Sequence, residues 1–302
     1  YASLRFEGSD ILKRAALTYQ EPWIFGRPLD SQFTLAWSDR KNINQDTREV
    51  TYQTRKTSAA WGVEKKTDRL KTSLTYQFEN VDNYNVKPEA QLSFEDSGRV
   101  LVSSLNPAVL WDRRDDPFNP AKGGIHGIVV KEALSELGSQ ADFTKATVQT
   151  SWFFSPKERV VFALSGRCGM AWPHRQTEVV PIHERFFLGG GTTVRGYTQD
   201  SVGPYSIDTA GERVPTGGSS MVQLNAELRV NSSGGVGMVL FSDAGNVWVD
   251  RRIRLDDLRA SYGTGLRYQT PVGPLRIDYG QKIHRRPGES PGELHFNIGH
   301  AF

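Results

Sequence analysis

The most regular stretch of the chain is Val222-Gln-Leu-Asn-Ala-Glu-Leu-Arg-Val230, in which apolar and polar side chains alternate without interruption. Side chains of a β-strand point alternately to its two faces, so this stretch predicts a strand with one apolar and one polar face. The polar face carries Glu227 and Arg229 in the middle of the strand. Charged side chains at these positions indicate that the polar face is hydrated.

Similar alternating stretches recur along the whole chain. Proline-containing turn signals such as Asn119-Pro120 and Ser155-Pro156 separate them. It is clear at residues 162–172, 261–268, 275–279 and 294–302, and noisier near 11–20, 30–40, 50–63, 69–80, 98–111, 123–134 and 143–154. We count about 15 strands at a spacing of about 20 residues. Strands of about ten residues, tilted by about 45°, are long enough to cross a bilayer.

The composition separates two all-β architectures. Only 37% of the residues are hydrophobic and the mean hydropathy is −0.49, yet the chain contains 15 Phe, 10 Tyr and 7 Trp. A soluble sandwich needs shorter strands and a core rich in Val, Ile and Leu. Outward apolar residues, a hydrated lumen and aromatic girdles instead describe an outer-membrane barrel. We therefore predict an all-β fold, a transmembrane antiparallel β-barrel, with a lumen too wide for side chains alone to fill.

Other classes of protein are disfavoured by simple counts. The 37 Lys and Arg nearly balance the 34 Asp and Glu, so no basic arm points to nucleic acid. Cys168 is the only cysteine, which rules out an intrachain disulfide. No apolar run approaches the 18 or so residues of a membrane helix. The first residues lack a charged leader with an apolar stretch, so we expect a processed form or a fragment.

One stretch does not alternate: Arg185-Phe-Phe-Leu-Gly-Gly-Gly-Thr-Thr-Val-Arg-Gly-Tyr197. Its glycines match neither a phosphate-binding loop nor a dinucleotide-binding turn, which leaves an ordinary flexible turn or a loop that carries one cation to a particular place. The strands that follow supply inward anions, since alternation places Glu227 inside and an outward Asp243 would face lipid. Phe241 shares the parity of Asp243. Arg195 could therefore meet both carboxylates and lie over the Phe241 ring.

Several stretches together resemble the BamA/TamA superfamily of outer-membrane assembly barrels. Val194-Arg195-Gly196-Tyr197 resembles the Val-Arg-Gly-Phe/Tyr signature of the family's lumen loop. The other matching stretches, in the family's order around that loop, are the mid-barrel turn Asp112–Gly123, the Phe-x-Asp-x-Gly strand Phe241–Trp248, the penultimate hairpin Gly263–Tyr279 and the closing strand Phe296–Phe302. The resemblance covers nearly the whole chain.

The resemblance implies a 16-stranded barrel with a lumen loop at about residues 173–218. It also implies that Arg195 is held inside by Glu227, Phe241 and Asp243. In the family the first and last strands pair weakly and form a lateral gate toward lipid. The last strand of that gate would here contain Phe296, Ile298, Gly299, where the strand bends inward, and Phe302.

The resemblance further implies a function and a location. We expect a bacterial outer-membrane protein that inserts unfolded outer-membrane β-barrel clients among the surrounding lipids. Residues 1–8 are similar to the family's second strand, so the first strand and the periplasmic POTRA domains are expected to be missing from this sequence. Accessory lipoproteins or a periplasmic partner would act through those POTRA domains.

Three other functions stay open at this stage. A two-partner secretion transporter shares the Val-Arg-Gly-Tyr signature and exports a single exoprotein, a membrane anchor barrel can carry a periplasmic enzyme, and a diffusion porin needs only the strands. We expect no enzyme, catalytic residue, metal site or cofactor within the chain, because it has no Gly-x-Ser-x-Gly elbow and its six histidines are scattered. The Asp112–Asp116 segment interleaves carboxylates with arginines, which favours a salt-bridged turn over a metal site.

Overall fold

A computed structural model describes residues 1–24, 26–43, 49–86, 96, 98–207, 211, 213–232, 234–268, 270 and 274–298. Its strands are β1 (Ala2–Gly8), β2 (Leu12–Glu21), β3 (Asp30–Ile43), β4 (Val50–Lys66), β5 (Leu70–Tyr84), β6 (Gly98–Asp112), β7 (Gly123–Ala133), β8 (Phe143–Lys157), β9 (Val160–Pro173), β10 (Tyr205–Ile207), β11 (Arg213–Pro215), β12 (Ser220–Asn231), β13 (Val236–Trp248), β14 (Arg259–Tyr268), β15 (Leu275–Ile283) and β16 (Gly292–Ile298). Among these residues, no helix is both long and apolar enough to cross a membrane.

Fourteen of these strands form one antiparallel sheet in which each strand pairs with the next along the chain. The short β10 and β11 are the exception, because they pair with each other in the segment between β9 and β12. The predicted all-β antiparallel fold is confirmed. The expected count of about 15 strands lies between the fourteen of the main sheet and the sixteen found in all.

The outward face of the sheet carries the aromatic side chains that the composition predicts. Tyr19, Phe33, Trp61 and Tyr76 are consecutive cross-strand partners on β2 to β5, and Leu105 on β6 continues the row. All five side chains are exposed. Rings aligned at one height around a sheet are typical of the interfacial girdle of a membrane barrel, where an aromatic body meets lipid and a polar tip meets water.

The inward face surrounds the described part of the segment between β9 and β12, residues 174–219, which we call the lumen loop. This loop forms ion pairs with strands that are far apart in the sheet: Asp200 pairs with Arg40 on β3, and Glu184 with Lys131 on β7. Arg195 pairs with Asp243 on β13. One loop can reach all of these strands only if the sheet curls around it, so the sheet is barrel-shaped and the loop lies in the lumen.

The two edge strands differ from the others in how much apolar surface they expose. Leu4 and Phe6 on β1 are 62% and 73% exposed, and Leu294, Phe296 and Ile298 on β16 are 63–68% exposed. Exposed apolar side chains on the described parts of β2 to β15 reach at most 55%. The difference arises because, within the described residues, β1 pairs only with β2 and β16 only with β15. These two strands are the edges of the sheet in the part of the chain that the structure describes.

Candidate functional site

The Val194–Tyr197 motif reaches the barrel wall through an unusually close backbone approach. Gly196 has a φ of +87°, a left-handed conformation that favours glycine. Gly280 on β15 lies directly beneath it, and a Cβ added at Gly280 would lie 2.5 Å from the Gly196 nitrogen. Side chains at either position would push the loop away from the wall, so the two glycines let the motif lie flat against β15.

Arg195 is 1% exposed and is held mainly by Asp243 on β13. Its Nε donates to Asp243 Oδ2 at 2.7 Å and its Nη2 donates to Oδ1 at 2.8 Å. The backbone N–H of Arg195 also donates to Oδ2 at 3.0 Å. Paired donation of this kind requires the planar guanidinium, which fixes the orientation as well as the position of the side chain. Asn225 on β12 donates to Asp243 Oδ1 at 2.8 Å and completes the shell of that carboxylate.

Glu227 and Phe241 enclose the other sides of the guanidinium. Arg195 Nη1 donates to Glu227 Oε1 at 2.5 Å, and the Arg195 Cζ atom lies 3.6 Å from the centroid of the Phe241 ring. Glu227 and Phe241 are direct cross-strand partners on β12 and β13. Burial alone would lower the pKa of Arg195, but its hydrogen bonds to Asp243 and the charges of Asp243 and Glu227 raise it above its ordinary value. The structure thus brings together Arg195 and all three partners named from the sequence.

The cluster extends to β14 and β15 beyond the residues that sequence reasoning selected. Asp278 on β15 lies 3.9 Å from Arg195 Nη1, accepts from Arg267 Nη1 at 2.6 Å, and accepts from Arg276 Nη2 at 3.0 Å. Arg276 also donates to the Gly191 carbonyl of the loop at 2.8 Å. The alternation of β15 already places Arg276 and Asp278 opposite Leu275, Ile277 and Tyr279, so the same parity argument could have found them.

The remaining members of the motif are also buried. Val194 belongs to a buried apolar cluster that also contains Leu188 of the loop and Val247 of β13. The Tyr197 hydroxyl donates to the Ala260 carbonyl at 3.1 Å, and its ring lies 5.3 Å from the guanidinium carbon of Arg259. The motif is therefore held by the charged contacts of Arg195, the apolar packing of Val194 and the aromatic contact of Tyr197. These contacts stabilise a single position of the loop.

A second anchor fixes the start of the lumen loop to another part of the wall, on β7 and β8. Glu184 forms ion pairs with Lys131 on β7 and, at 3.4 Å, with Lys145 on β8. Lys131 bridges onward to Glu79 on β5 at 2.5 Å, and Glu79 also pairs with Lys56 on β4. Sequence reasoning missed this cluster, because nothing in the linear sequence shows which strands the loop crosses.

We expect Glu184→Gln to destabilise the barrel by about 3 kcal/mol, since breaking a buried ion pair leaves an uncompensated charge. The charges of Lys131 and Lys145 hold the pKa of the Glu184 carboxyl well below its usual range against the effect of burial, so the side chain is ionised. Urea unfolding in detergent micelles measures the loss. Glu178→Gln, an exposed change in the same loop, is the control and should stay within about 0.5 kcal/mol of the parent. Equal urea midpoints of unfolding for the two variants would show that Glu184 does not anchor the loop.

A pH dependence is expected from His183, next to Glu184. Burial lowers the pKa of His183 from 6.5 to about 4, while the carboxylates of Glu184 and Glu79 oppose this and Lys56 and Lys131 add to it. The unfolded imidazole binds a proton below pH 6.5 and the folded one does not, so stability falls as the pH drops from about 6.5 to 4. The loss reaches at most about 3 kcal/mol. Urea titrations at several pH values should show that the free energy of unfolding of the parent falls with decreasing pH and that this dependence is weaker in His183→Gln. The same pH dependence in both proteins would contradict the prediction.

The residues expected at the lateral gate lie at the end of the chain. Phe296 and Ile298 point outward from β16, and Gly299 and Phe302 lie outside the described residues. In the turn after β6, Arg114 pairs with Asp112 at 2.8 Å, and Asp115 Oδ1 accepts backbone N–H groups that include those of Ala121 and Lys122. Across the described ranges, no group of three or more His, Cys, Asp or Glu is placed to hold a metal ion.

The fold and the lumen-loop cluster define a class of protein, a membrane β-barrel with a folded-in loop pinned by a buried arginine. The sequence matches the family model described as Omp85 superfamily domain over residues 1–302, and the chain belongs to that superfamily. This confirms the family resemblance and shows that the protein is an outer-membrane β-barrel.

Curated relatives and solved structures agree with this family. The chain is 26% identical over 275 residues to the outer membrane protein assembly factor BamA of Neisseria meningitidis, covering 78% of this chain and 34% of the relative. It is 32% identical over 112 residues to the mouse sorting and assembly machinery component 50 homolog, covering 37% of this chain and 24% of the relative. The chain thus spans about a third of the length of the BamA relatives that it matches.

Two solved structures show the same fold. BamA from Haemophilus ducreyi lacking POTRA domains 1–3 superposes with a TM-score of 0.83 at 19% identity, covering 98% of this chain and 63% of that one. CdiB from Escherichia coli gives a TM-score of 0.58 at 16% identity, covering 94% of this chain and 52% of that one. The likeness to the BamA barrel is therefore the stronger of the two.

Proposed function

We propose that this barrel inserts outer-membrane β-barrel proteins into the membrane through a lateral gate between its first and last strands. The relatives that match it over most of its length are named outer membrane protein assembly factors. The observation that supports the mechanism is the position of β16 at the edge of the described sheet, where its apolar side chains are more exposed than those on the described interior strands.

An unpaired strand edge in a bilayer is costly, because its N–H and C=O groups find no water in the hydrocarbon region. A weakly paired seam, by which we mean the junction between the first and last strands, keeps such an edge available to a client without leaving it permanently unpaired. An incoming client strand pairs with the edge by β-augmentation, and successive strands then pass sideways into the lipid. The edge of β16 supports this role, since it offers a backbone template beside the outward apolar side chains Leu294, Phe296 and Ile298.

The Arg195 cluster has a supporting role in this mechanism. It ties the lumen loop to β12, β13 and β15, the strands that lead to the seam. Buried ion pairs add little net stability over apolar packing, but they specify one arrangement and are costly to break. The cluster would therefore hold the loop and the adjoining wall in fixed positions while the seam opens. No covalent bond is made or broken in this scheme, so we propose a non-enzymatic function.

The partners follow from the proposed function. They are unfolded outer-membrane β-barrel clients at the seam, the lipids around the barrel, and accessory lipoproteins or a periplasmic partner that would act through POTRA domains. The aromatic row on β2 to β5 supports the lipid contact, since its rings face outward at one height.

Reconstitution of the intact polypeptide in lipid vesicles tests the proposal. A urea-denatured β-barrel client is diluted into the vesicles, and its folded fraction is followed by the heat-dependent shift of its gel band. We expect several-fold faster client folding than in empty vesicles or in vesicles holding an unrelated barrel. Equal rates in all three samples would contradict the proposal, and transfer of a single exoprotein across the vesicle membrane without insertion would favour a secretion transporter.

A further inference from the structure

The lumen loop contacts the last strand directly as well as the interior wall. The backbone N–H of Gly196 donates to His295 Nε2 at 3.0 Å. His295 is on β16, where it is the cross-strand partner of Asp278 and shares its inward direction. The residue beside Arg195 in the motif is thus bonded to the strand whose edge the proposed function uses.

A second contact lies one residue pair further along the same strand. Gly191 packs so closely on β16 that a Cβ added there would lie 3.1 Å from His295 Cβ and would overlap the Asn297 side-chain amide. The Gly191 carbonyl is held in turn by Arg276 on β15. The inward face of β16 therefore rests on two points of the loop, at Gly191 and at Gly196.

Two sets of contacts thus hold β16 in the described part of the barrel. One is the ladder with β15, which extends over seven residue pairs from Leu275 with Ile298 to Gln281 with Gly292. The other is the pair of loop contacts on its inward face. We propose that His295 is a positioning residue that clasps the last strand to the lumen loop, and that β16 must leave this clasp before it can bend to accept a client strand.

The clasp gives the lumen loop a regulatory role that rests on the proposed function. The arginine cluster fixes the loop, and the loop in turn fixes the inward face of β16. A change that loosens the clasp should free β16 without unfolding the barrel, because the β15 ladder and the arginine cluster stay intact. A change that locks the clasp should hold β16 in place and block insertion. A contact that only stabilised the barrel would leave the locked form active.

The first test measures the freedom of β16 by hydrogen exchange in the intact protein in lipid nanodiscs. We expect residues 292–298 to exchange about five- to tenfold faster in His295→Leu, the ratio that the loss of one net hydrogen bond gives. His295→Gln retains an acceptor and should restore most of the protection. Glu293→Gln is the matched control: Glu293 lies on the same strand with the parity of His295 but bonds Ser290 in the adjoining turn. Unchanged exchange in His295→Leu would overturn the proposal.

The second test locks the clasp with a disulfide between Gly191→Cys and His295→Cys. Disulfides need Cβ atoms about 3.5–4.5 Å apart, so a small shift of the loop accommodates one here. The exposed Cys168 is replaced by Ser in every variant to prevent competing pairing. We expect the oxidised pair to lose client insertion in vesicles and to regain it with reductant, while each single cysteine variant is insensitive to oxidation.

The outcomes separate this inference from the proposed function. If the oxidised protein inserted clients as fast as the same protein after reduction of the disulfide, the clasp would be overturned. In that case β16 would function while it is tied to the loop. If the unlocked protein inserts no client, the proposed function fails, and the exchange of residues 292–298 in His295→Leu still decides whether the clasp exists.

Discussion

Arg195→Ala is expected to lose most of the assembly activity and to destabilise the barrel by about 3–5 kcal/mol, the usual effect of removing one partner from a buried ion pair. Among the side-chain contacts that the substitution removes are two hydrogen bonds to Asp243, one to Glu227, and the contact with the Phe241 ring. Both carboxylates would remain buried with less compensating charge. The loop would also lose the side-chain contacts of Arg195 with β12 and β13.

Lysine at this position should rescue poorly. It keeps the charge but cannot donate from two nitrogens to the two oxygens of Asp243 and reach Glu227 as well. Urea unfolding and growth of a strain that carries only the variant measure the two effects. Arg40→Ala is the control, because Arg40 also pairs with the loop, through Asp200, but is 47% exposed. Exposed pairs contribute at most about 1 kcal/mol. Normal growth with the alanine form of Arg195 would count against this role.

Asp243→Arg should be more damaging than Asp250→Arg, although the two changes alter the net charge equally. Asp243 is fully buried and accepts three hydrogen bonds from Arg195 and one from Asn225. An arginine there would place a second cation against Arg195 in a fully buried site. Asp250 follows β13 and pairs with Arg254, and both side chains are 45% exposed.

The heat-dependent mobility of the folded barrel on a gel compares the two variants. We expect Asp243→Arg to lose the compact folded band at a lower temperature than the parent, or to lack it. Asp250→Arg should keep the parent's transition. Equal behaviour of the two proteins would refute the assignment of Asp243 to the core of the site.

Most of the strand pattern was predictable from the sequence, because side-chain parity and turn residues are local signals. Strands predicted near residues 50–63 and 98–111 are found at Val50–Lys66 and Gly98–Asp112. The inward direction of Glu227 follows from the alternation of β12 alone. The inward direction of Phe241 and Asp243 follows because an outward Asp243 would turn its carboxylate toward lipid, which is energetically costly.

The contacts of the lumen loop were harder to predict, because the loop has no periodicity and its partners lie up to 160 residues away in the sequence. Glu184 pairs with Lys131 and Lys145, and Gly196 donates a hydrogen bond to His295 on the last strand. Parity could have predicted that Asp278 points inward, but it could not have predicted how close Asp278 lies to Arg195. Parity and the family resemblance both pointed to the partners of Arg195, and neither gave a signal for Glu184 or His295.

Crosslinking between the seam and a client during insertion tests the central claim most directly. A photoreactive residue replaces Phe296 on β16 or, as a control, Leu266 on β14, which lies in the same cross-strand row through Ile277. Strands are spaced about 4.8 Å apart, so the control lies about 10 Å from the edge. We expect client adducts from Phe296 and few from Leu266 while a client is stalled during insertion. Equal adducts from both positions, or none from Phe296 during active insertion, would contradict it.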